Sequence, residues 1–255
     1  MKSIILSLLL LLPVTSMAWG PKGHDIVASI AESHLSRKAQ KRIERCLDGR
    51  SMVHVANWMD NASHTAEYAH TKTWHYCNID EEEQSYAASR KEAAGDVVVA
   101  IESIAARLKS GELTAEEERD ELMMLIHLVG DLHSPMHAGH KCDLGGNRVS
   151  VRFFGQSTNL HSAWDSDIIE AAHKWSYTEW REAINRADKS TEREIVAGSP
   201  REWVEQSVAL AAEIYRHTPA GTNISYDYIA HFTPIIEQQL LRGGLRLAAL
   251  LEEIY

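Results

Sequence analysis

The sequence predicts an all-α fold, one mainly helical domain with at most one short β-hairpin. Three observations carry that expectation. Apolar residues recur at helical spacing along most of the 255 residues. Helix start and stop signals bracket those runs. Only "NRVSVRFFG", set between Gly145-Gly146 and Gly155, alternates as a half-buried strand does.

In chain order, residues 1–18 read as a signal peptide rather than a structural helix. Lys2, the apolar "IILSLLLLL" and then Ser16-Met17-Ala18 predict cleavage after Ala18. That apolar run falls short of the roughly 20 residues a spanning helix needs. No later segment is apolar enough to span. The expectation is a secreted or periplasmic protein with no stable membrane association.

"HDIVASIAESHL" places Ile26, Val27, Ile30 and Ala31 at helical spacing. Ser36 is the expected N-cap of "RKAQKRIERCL", which Asp48-Gly49 stops. A long helix is expected from about Ser85 to Lys109, ended by Gly111, and Thr114 with Glu117 makes a capping box for the next. Ser199-Pro200 begins another, to about His217. From Tyr226 to Tyr255 the period is again helical, with Pro234 in the early turns and Gly243-Gly244 weakening the middle. No repeat, low-complexity tract or linker divides the chain, so residues 19–255 are expected to form one domain.

Acidic residues outnumber basic ones, 36 to 26, for a formal net charge of −10. Such acidity argues against a broad basic groove for duplex nucleic acid. It is compatible with a site whose positive charge comes from bound metal. Cys46, Cys77 and Cys142 are too few for a disulfide scaffold and wrongly spaced for a cysteine zinc site. Export permits one disulfide bond among them, with the pairing open. Histidine is the outlier, with 14 against three Phe.

Two segments share a spacing. "HLVGD" sets His127 and Asp131 at i and i+4, and "HSAWD" does the same with His161 and Asp165. On a helix such pairs lie about 5–6 Å apart at Cβ, close enough to share an ion. Imidazole and carboxylate are the ligands of zinc sites that lack cysteine. Pro135 ends the first of these helices and lets His137 aim elsewhere. Upstream lie "NWMD", ending in Asp60, and "TWHYCN", containing His75.

Trp19, His24, "NWMD", "WHYCN", "HLVGDLHSPMH", "GGNRVSVRF", "NLHSAWD" and "GGLRLAALL", in that order, resemble the trinuclear-zinc nucleases of the S1/P1 family. These are single-strand-preferring endonucleases and 3′-nucleotidases. The resemblance covers nearly all of residues 19–255 and implies the helical fold these nucleases share with zinc-dependent phospholipase C. It implies three zinc ions. Asp60, His75, His127 and Asp131 hold the first. Trp19, through its α-amino nitrogen and carbonyl oxygen, holds a close neighbour with His24 and the bridging Asp131. His137, His161 and Asp165 hold a third, more exposed ion. The cut after Ala18 thereby makes a ligand. His133 matches no ligand position and is expected as an outer hydrogen-bond partner.

The resemblance further implies a metal-activated hydroxide, oriented by Asp60 as the catalytic residue, that attacks a phosphodiester and leaves a 5′-phosphate. Single-stranded nucleic acid and nucleotides are the implied substrates, with no protein partner. Tyr76 stacks on an unpaired base, and Asn78 hydrogen-bonds its edge; core packing is the competing role for Tyr76. One departure stands out. Relatives often carry Arg where this chain has Ser63, with Lys72 or Arg148 as the substitutes at hand. The rival enzyme is a zinc-dependent phospholipase C, in which the last ligand is typically Glu; Asp165 favours the nuclease. A non-catalytic zinc-sequestering protein would need closed metal sites, whereas three protein ligands at the third ion leave open positions.

Overall fold

The computed structural model describes residues 19–80 and 82–255. The signal peptide expected over residues 1–18 lies outside the described residues. The architecture is mainly helical, as expected. Helix α1 (Pro21–His34) starts with Pro at its first position, where the missing N–H costs nothing. Ser36 caps α2 (Arg37–Cys46) by accepting from the Ala39 N–H at 3.2 Å. Two short helices follow, α3 (Met52–Val55) and α4 (Trp58–Ala62), then a 3₁₀ helix over Ala69–His75.

The long helix expected from Ser85 is shorter: α5 runs only Val97–Ser110. Asp96 is the reason. Its buried carboxylate accepts from the N–H groups of Val98 and Val99 at 3.0 and 3.1 Å. The Tyr86 hydroxyl reaches both Asp96 oxygens at 3.1 Å, so the residues before Asp96 fold back as turns to supply it. Gly111 closes α5 in the left-handed conformation. The Thr114–Glu117 capping box then opens α6 (Ala115–Leu132).

After α6, Pro135 starts a separate 3₁₀ turn, Pro135–Ala138, and another spans Lys141–Asp143. Strands β1 (Ser150–Phe153) and β2 (Gln156–Asn159) form the antiparallel hairpin, with Val151 opposite Thr158. The sheet exceeds the single hairpin expected. A two-residue β3 (Asn223–Ile224) pairs parallel to β1, too short to show any alternation in sequence.

From β2 the chain enters one helical run: α7 (Leu160–Ser162), a π-turn over Ala163–Asp167, and α8 (Ile168–Ala172). Helices α9 (Tyr177–Ile184), α10 (Lys189–Val196), α11 (Pro200–His217) and α12 (Tyr226–Ile254) complete the fold. Helix α1 packs most extensively on α12. Gly243 and Gly244 serve that contact: a Cβ on Gly244 would stand 2.4 Å from Ile30 Cγ2. The pair expected to weaken α12 is what lets it close on α1. Helix α6 changes character along its length. Its first turn is acidic, and from Leu122 to Leu132 every residue is buried. No described helix is long and apolar enough to cross a membrane. The one disulfide that export would permit is not formed: Cys46 and Cys77 are buried, Cys142 is exposed, and all three are free.

Candidate metal centre

The buried half of α6 delivers His127 and Asp131 to the middle of the molecule, both fully buried. Asp131 is the hub. Its Oδ2 lies 2.9 Å from His75 Nδ1 and 3.3 Å from His127 Nε2. Its Oδ1 lies 3.4 Å from His24 Nε2 and 3.9 Å from His137 Nδ1. Asp60, on α4, approaches His127 Nε2 to 3.4 Å. His24, from α1, lies flat on the His127 ring at 3.9 Å.

Three groups of ligand atoms result, each within 4.8 Å: His24, His127 and Asp131; Asp60, His75 and His127; and His137, His161 and Asp165. In the last, His161 Nε2 and Asp165 Oδ2 are 3.0 Å apart across the π-turn. A π-turn widens the helix by one residue and recurs at functional sites. The resemblance implies that this third site is the more exposed. Its residues are 2–3 % exposed, no more open than His75 at 8 %.

Backbone carbonyls fix the rings. The Nδ1–H of His127 donates to the Ala56 carbonyl at 2.7 Å, that of His161 to Gly145 at 2.7 Å, and that of His137 to His75 at 2.5 Å. In each case Nε2 is left facing its group, the arrangement by which metal-binding histidines are oriented. Gly145 reaches its position only at φ +64, where a Cβ would stand 2.6 Å from the Met136 carbonyl oxygen.

Several polar atoms here are buried without a hydrogen-bond partner: both nitrogens of His24, Asp60 Oδ2, His75 Nε2, Asp131 Oδ1 and His137 Nε2. Buried polar atoms are nearly always paired, and each orphan asks for a missing partner. No Lys or Arg among the described residues pairs with Asp60, Asp131 or Asp165. A cation satisfies both demands, and imidazole with carboxylate is a zinc-type donor set.

The electrostatics agree. Burial, reinforced by His127, pushes the His24 imidazole down to about 3. Burial also lowers His137 and raises Asp165. Against burial, the neighbouring imidazoles, His127 first, hold the Asp131 carboxyl well below the usual range. Burial opposes charge on His127 too, but Asp131 and Asp60 outweigh it and raise that group.

The other expected residues take separate places. The Trp19 side chain is fully buried just before α1, and the Gly20 N–H donates to the Asp165 carbonyl at 2.7 Å. Tyr76 and Asn78 follow His75 on an extended segment whose alternate residues, Cys77 and Ile79, are buried. Asn78 Oδ1 is another buried orphan, and burial pushes the Tyr76 phenol up. Ser63 is buried and donates to the Asp60 carbonyl at 3.2 Å, supplying no charge. Lys72 and Arg148 are exposed, and the Arg148 guanidinium donates to the Cys142 carbonyl at 3.3 Å. His133 turns away from the three groups. It donates to the Val129 carbonyl at 2.7 Å and accepts from Arg246 of α12 at 2.9 Å.

Sequence reasoning missed two contributors. Gly130 leaves room for His24, because a Cβ there would lie 2.7 Å from His24 Nδ1. Ser134 brings its hydroxyl 3.4 Å from Asp165 Oδ1. A glycine inside an otherwise apolar helix was the available signal for the first.

The S1/P1 Nuclease family model matches residues 19–255. Endonuclease 4 of Arabidopsis thaliana is 30% identical, over 94% of this chain and 90% of its own length. Nuclease S1 of Aspergillus oryzae is 25% identical over 92% of this chain and 91% of its own. Nuclease P1 of Penicillium citrinum is 25% identical over 93% and 98%. With the whole span from Trp19 to Tyr255 matched and the His/Asp groups assembled in space, the chain belongs to the S1/P1 nuclease family.

Proposed function

We propose that this chain is an exported, zinc-dependent endonuclease that cleaves single-stranded nucleic acid to 5′-phosphate products and also removes 3′-phosphates from nucleotides. Family membership makes it a nuclease, a hydrolase of phosphodiester bonds. The observation that supports the finer reading is the Asp131 carboxylate, faced by imidazoles from four separate segments, one of which, His127, is common to two ligand groups.

His24, Asp60, His75, His127 and Asp131 would hold two of the ions, joined by Trp19 once the proposed cut after Ala18 frees its α-amino group. His137, His161 and Asp165 would hold the third. Bound zinc supplies a water of lowered pKa and positive charge beside the phosphate. The chain's own residues do the rest. Asp60 Oδ2, without a partner, accepts a hydrogen bond from the attacking water and turns its lone pair toward phosphorus. Tyr76 offers a ring face to one base, and Asn78 Oδ1 accepts from its edge. Such stacking is worth about 1–3 kcal/mol and requires an unpaired base, which sets the preference for single strands.

The test pairs metal analysis with two substrates. Purified residues 19–255 are expected to carry zinc, to cut single-stranded DNA leaving 5′-phosphate ends, and to spare phosphatidylcholine vesicles. Chelation should abolish cutting, and added zinc should restore it. Hydrolysis of the vesicles alone would establish the phospholipase instead. Bound zinc with neither reaction would leave the sequestering role.

A further inference from the structure

A second feature shares its backbone with the metal centre. Segments 76–80 and 137–140 run side by side: the Cys77 N–H donates to His137 O at 2.8 Å, and the Ile79 N–H to Gly139 O at 2.9 Å. Ile79 and His140 form a parallel bridge. At one end of this track stand His75 and His137. Its other end, at Ile79, Asp80, Ala138 and His140, opens into a cavity of about 460 Å³. That volume lies within the range of small-molecule sites.

Helix α11 supplies the far wall through Ala209 and Ala212, both exposed and too small to fill the space. The His140 ring lies flat on Tyr215, 3.9 Å between centroids and 4° from parallel. Tyr215 is fixed at its hydroxyl, which donates to Asp143 Oδ1 at 2.8 Å and accepts from the His140 N–H at 3.1 Å. Glu205 anchors the edge by accepting from the N–H groups of Tyr86 and Ala87 at 3.0 and 2.9 Å. Four polar groups remain unspent. Among the described residues, the Asp80 carboxylate, the Gln84 amide, the His140 ring nitrogens and the Arg216 guanidinium make no hydrogen bond or ion pair, and all four residues line the cavity.

We propose that this cavity takes one further nucleotide of the single-stranded substrate, beyond the pair that flanks the cleaved bond. The proposal rests on the nuclease reading and extends it. The stacked His140–Tyr215 rings and the alanine wall suit a flat base. Asp80 and Gln84 offer acceptors and a donor to its edge, and Arg216 offers a charge to its phosphate. An apolar ligand would cover these four polar groups and leave them unpaired, which is costly. Only Ile79 stands between Asn78 and Asp80, two steps of extended chain or about 6.6 Å, so the same strip serves both positions.

The experiment compares kcat/KM for a single-stranded dinucleotide and for an octanucleotide in the unmodified protein, Ala212→Trp and Arg216→Gln. Ala212→Trp fills the cavity from an exposed position and should lower the octanucleotide-to-dinucleotide ratio about tenfold, as loss of one stacked base predicts. Arg216→Gln should make octanucleotide affinity less steep in salt by about 0.7 in the log–log slope, the share of one phosphate contact. An unchanged ratio and slope, or an equal fall for both substrates, would overturn the proposal. Failure of the unmodified protein to cut either substrate would overturn the nuclease reading, and this inference with it.

Discussion

At the scale of single residues, Asp131 and Asp165 are not equivalent, although the sequence writes both as the end of a His-x-x-x-Asp pair. Asp131 meets His24, His75, His127 and His137, whereas Asp165 meets His161 and the Ser134 hydroxyl. Asp131→Asn should therefore strip metal from two positions and Asp165→Asn from one. A neutral amide is a weaker ligand than a carboxylate, and the measurement is zinc per chain by elemental analysis. Equal losses would refute the hub role of Asp131. The spacing made these residues legible, because one helical turn is local information. Gly130 was not legible, since its constraint comes from α1: a Cβ there would stand 2.7 Å from His24 Nδ1 and 3.1 Å from His24 Cε1. Helix propensity alone favours Ala over Gly by about 0.8–1 kcal/mol. Gly130→Ala is accordingly expected to keep its helical circular dichroism while losing zinc and activity, because the His24 ring must move. Full zinc content in that variant would show that the ring has another place to go.

At the scale of elements, caps were readable and long-range partners were not. Ser36, Thr114 and Gly111 act within one turn, and each terminates or starts its helix where the sequence placed it. Asp96 instead draws on Tyr86, and β3 exists only by pairing with β1, so α5 is shorter and the sheet larger than local patterning implied. The π-turn that spaces His161 from Asp165 is equally silent, because its sequence is that of an ordinary helix. Gly243-Gly244 gives the sharpest reversal. An added Cβ at Gly244 meets Ile30 at 2.4 and 2.5 Å and the Val27 carbonyl at 3.1 Å, while at Gly243 the nearest contact is 3.2 Å to Val27 Cγ2. Overpacking of this kind costs about 1–3 kcal/mol. For a chain of this size, that corresponds to a fall in Tm of about 2–12 °C. Gly244→Ala should thus melt clearly lower than Gly243→Ala under the same metal loading. The reverse order in a thermal scan would place the close contact elsewhere along α1 and α12.

At the scale of the whole molecule, the proposed function would have an acidic chain carry its site charge in metal, which would link folding, metal and export. Ligands contributed by α1, α4, α6 and the helical run from α7 to α8 come together only in the folded state. A cation bound there therefore stabilises the fold by mass action. Chelation should lower Tm, and stoichiometric zinc should restore it; an apo protein that melts at the same temperature would break the link. The proposed cut after Ala18 gives the decisive case. If Trp19 binds zinc through its α-amino nitrogen, one residue placed before it turns that amine into an amide, which has no lone pair to give. The Gly20 N–H to Asp165 carbonyl bond at 2.7 Å ties this end of the chain to the π-turn, so there is little freedom for an extension to swing aside. Purified protein with a single Gly ahead of Trp19 should lose about one zinc per chain and most of its activity, with a lower Tm. Trp19→Phe with the correct cut keeps both backbone donors and should retain its zinc. It should also outperform the extended form, although loss of the buried indole will cost it some stability. A Gly-extended protein that binds its full zinc and cleaves single-stranded DNA normally would remove Trp19 from the ligand set, and the ring would be left as core packing beneath α1.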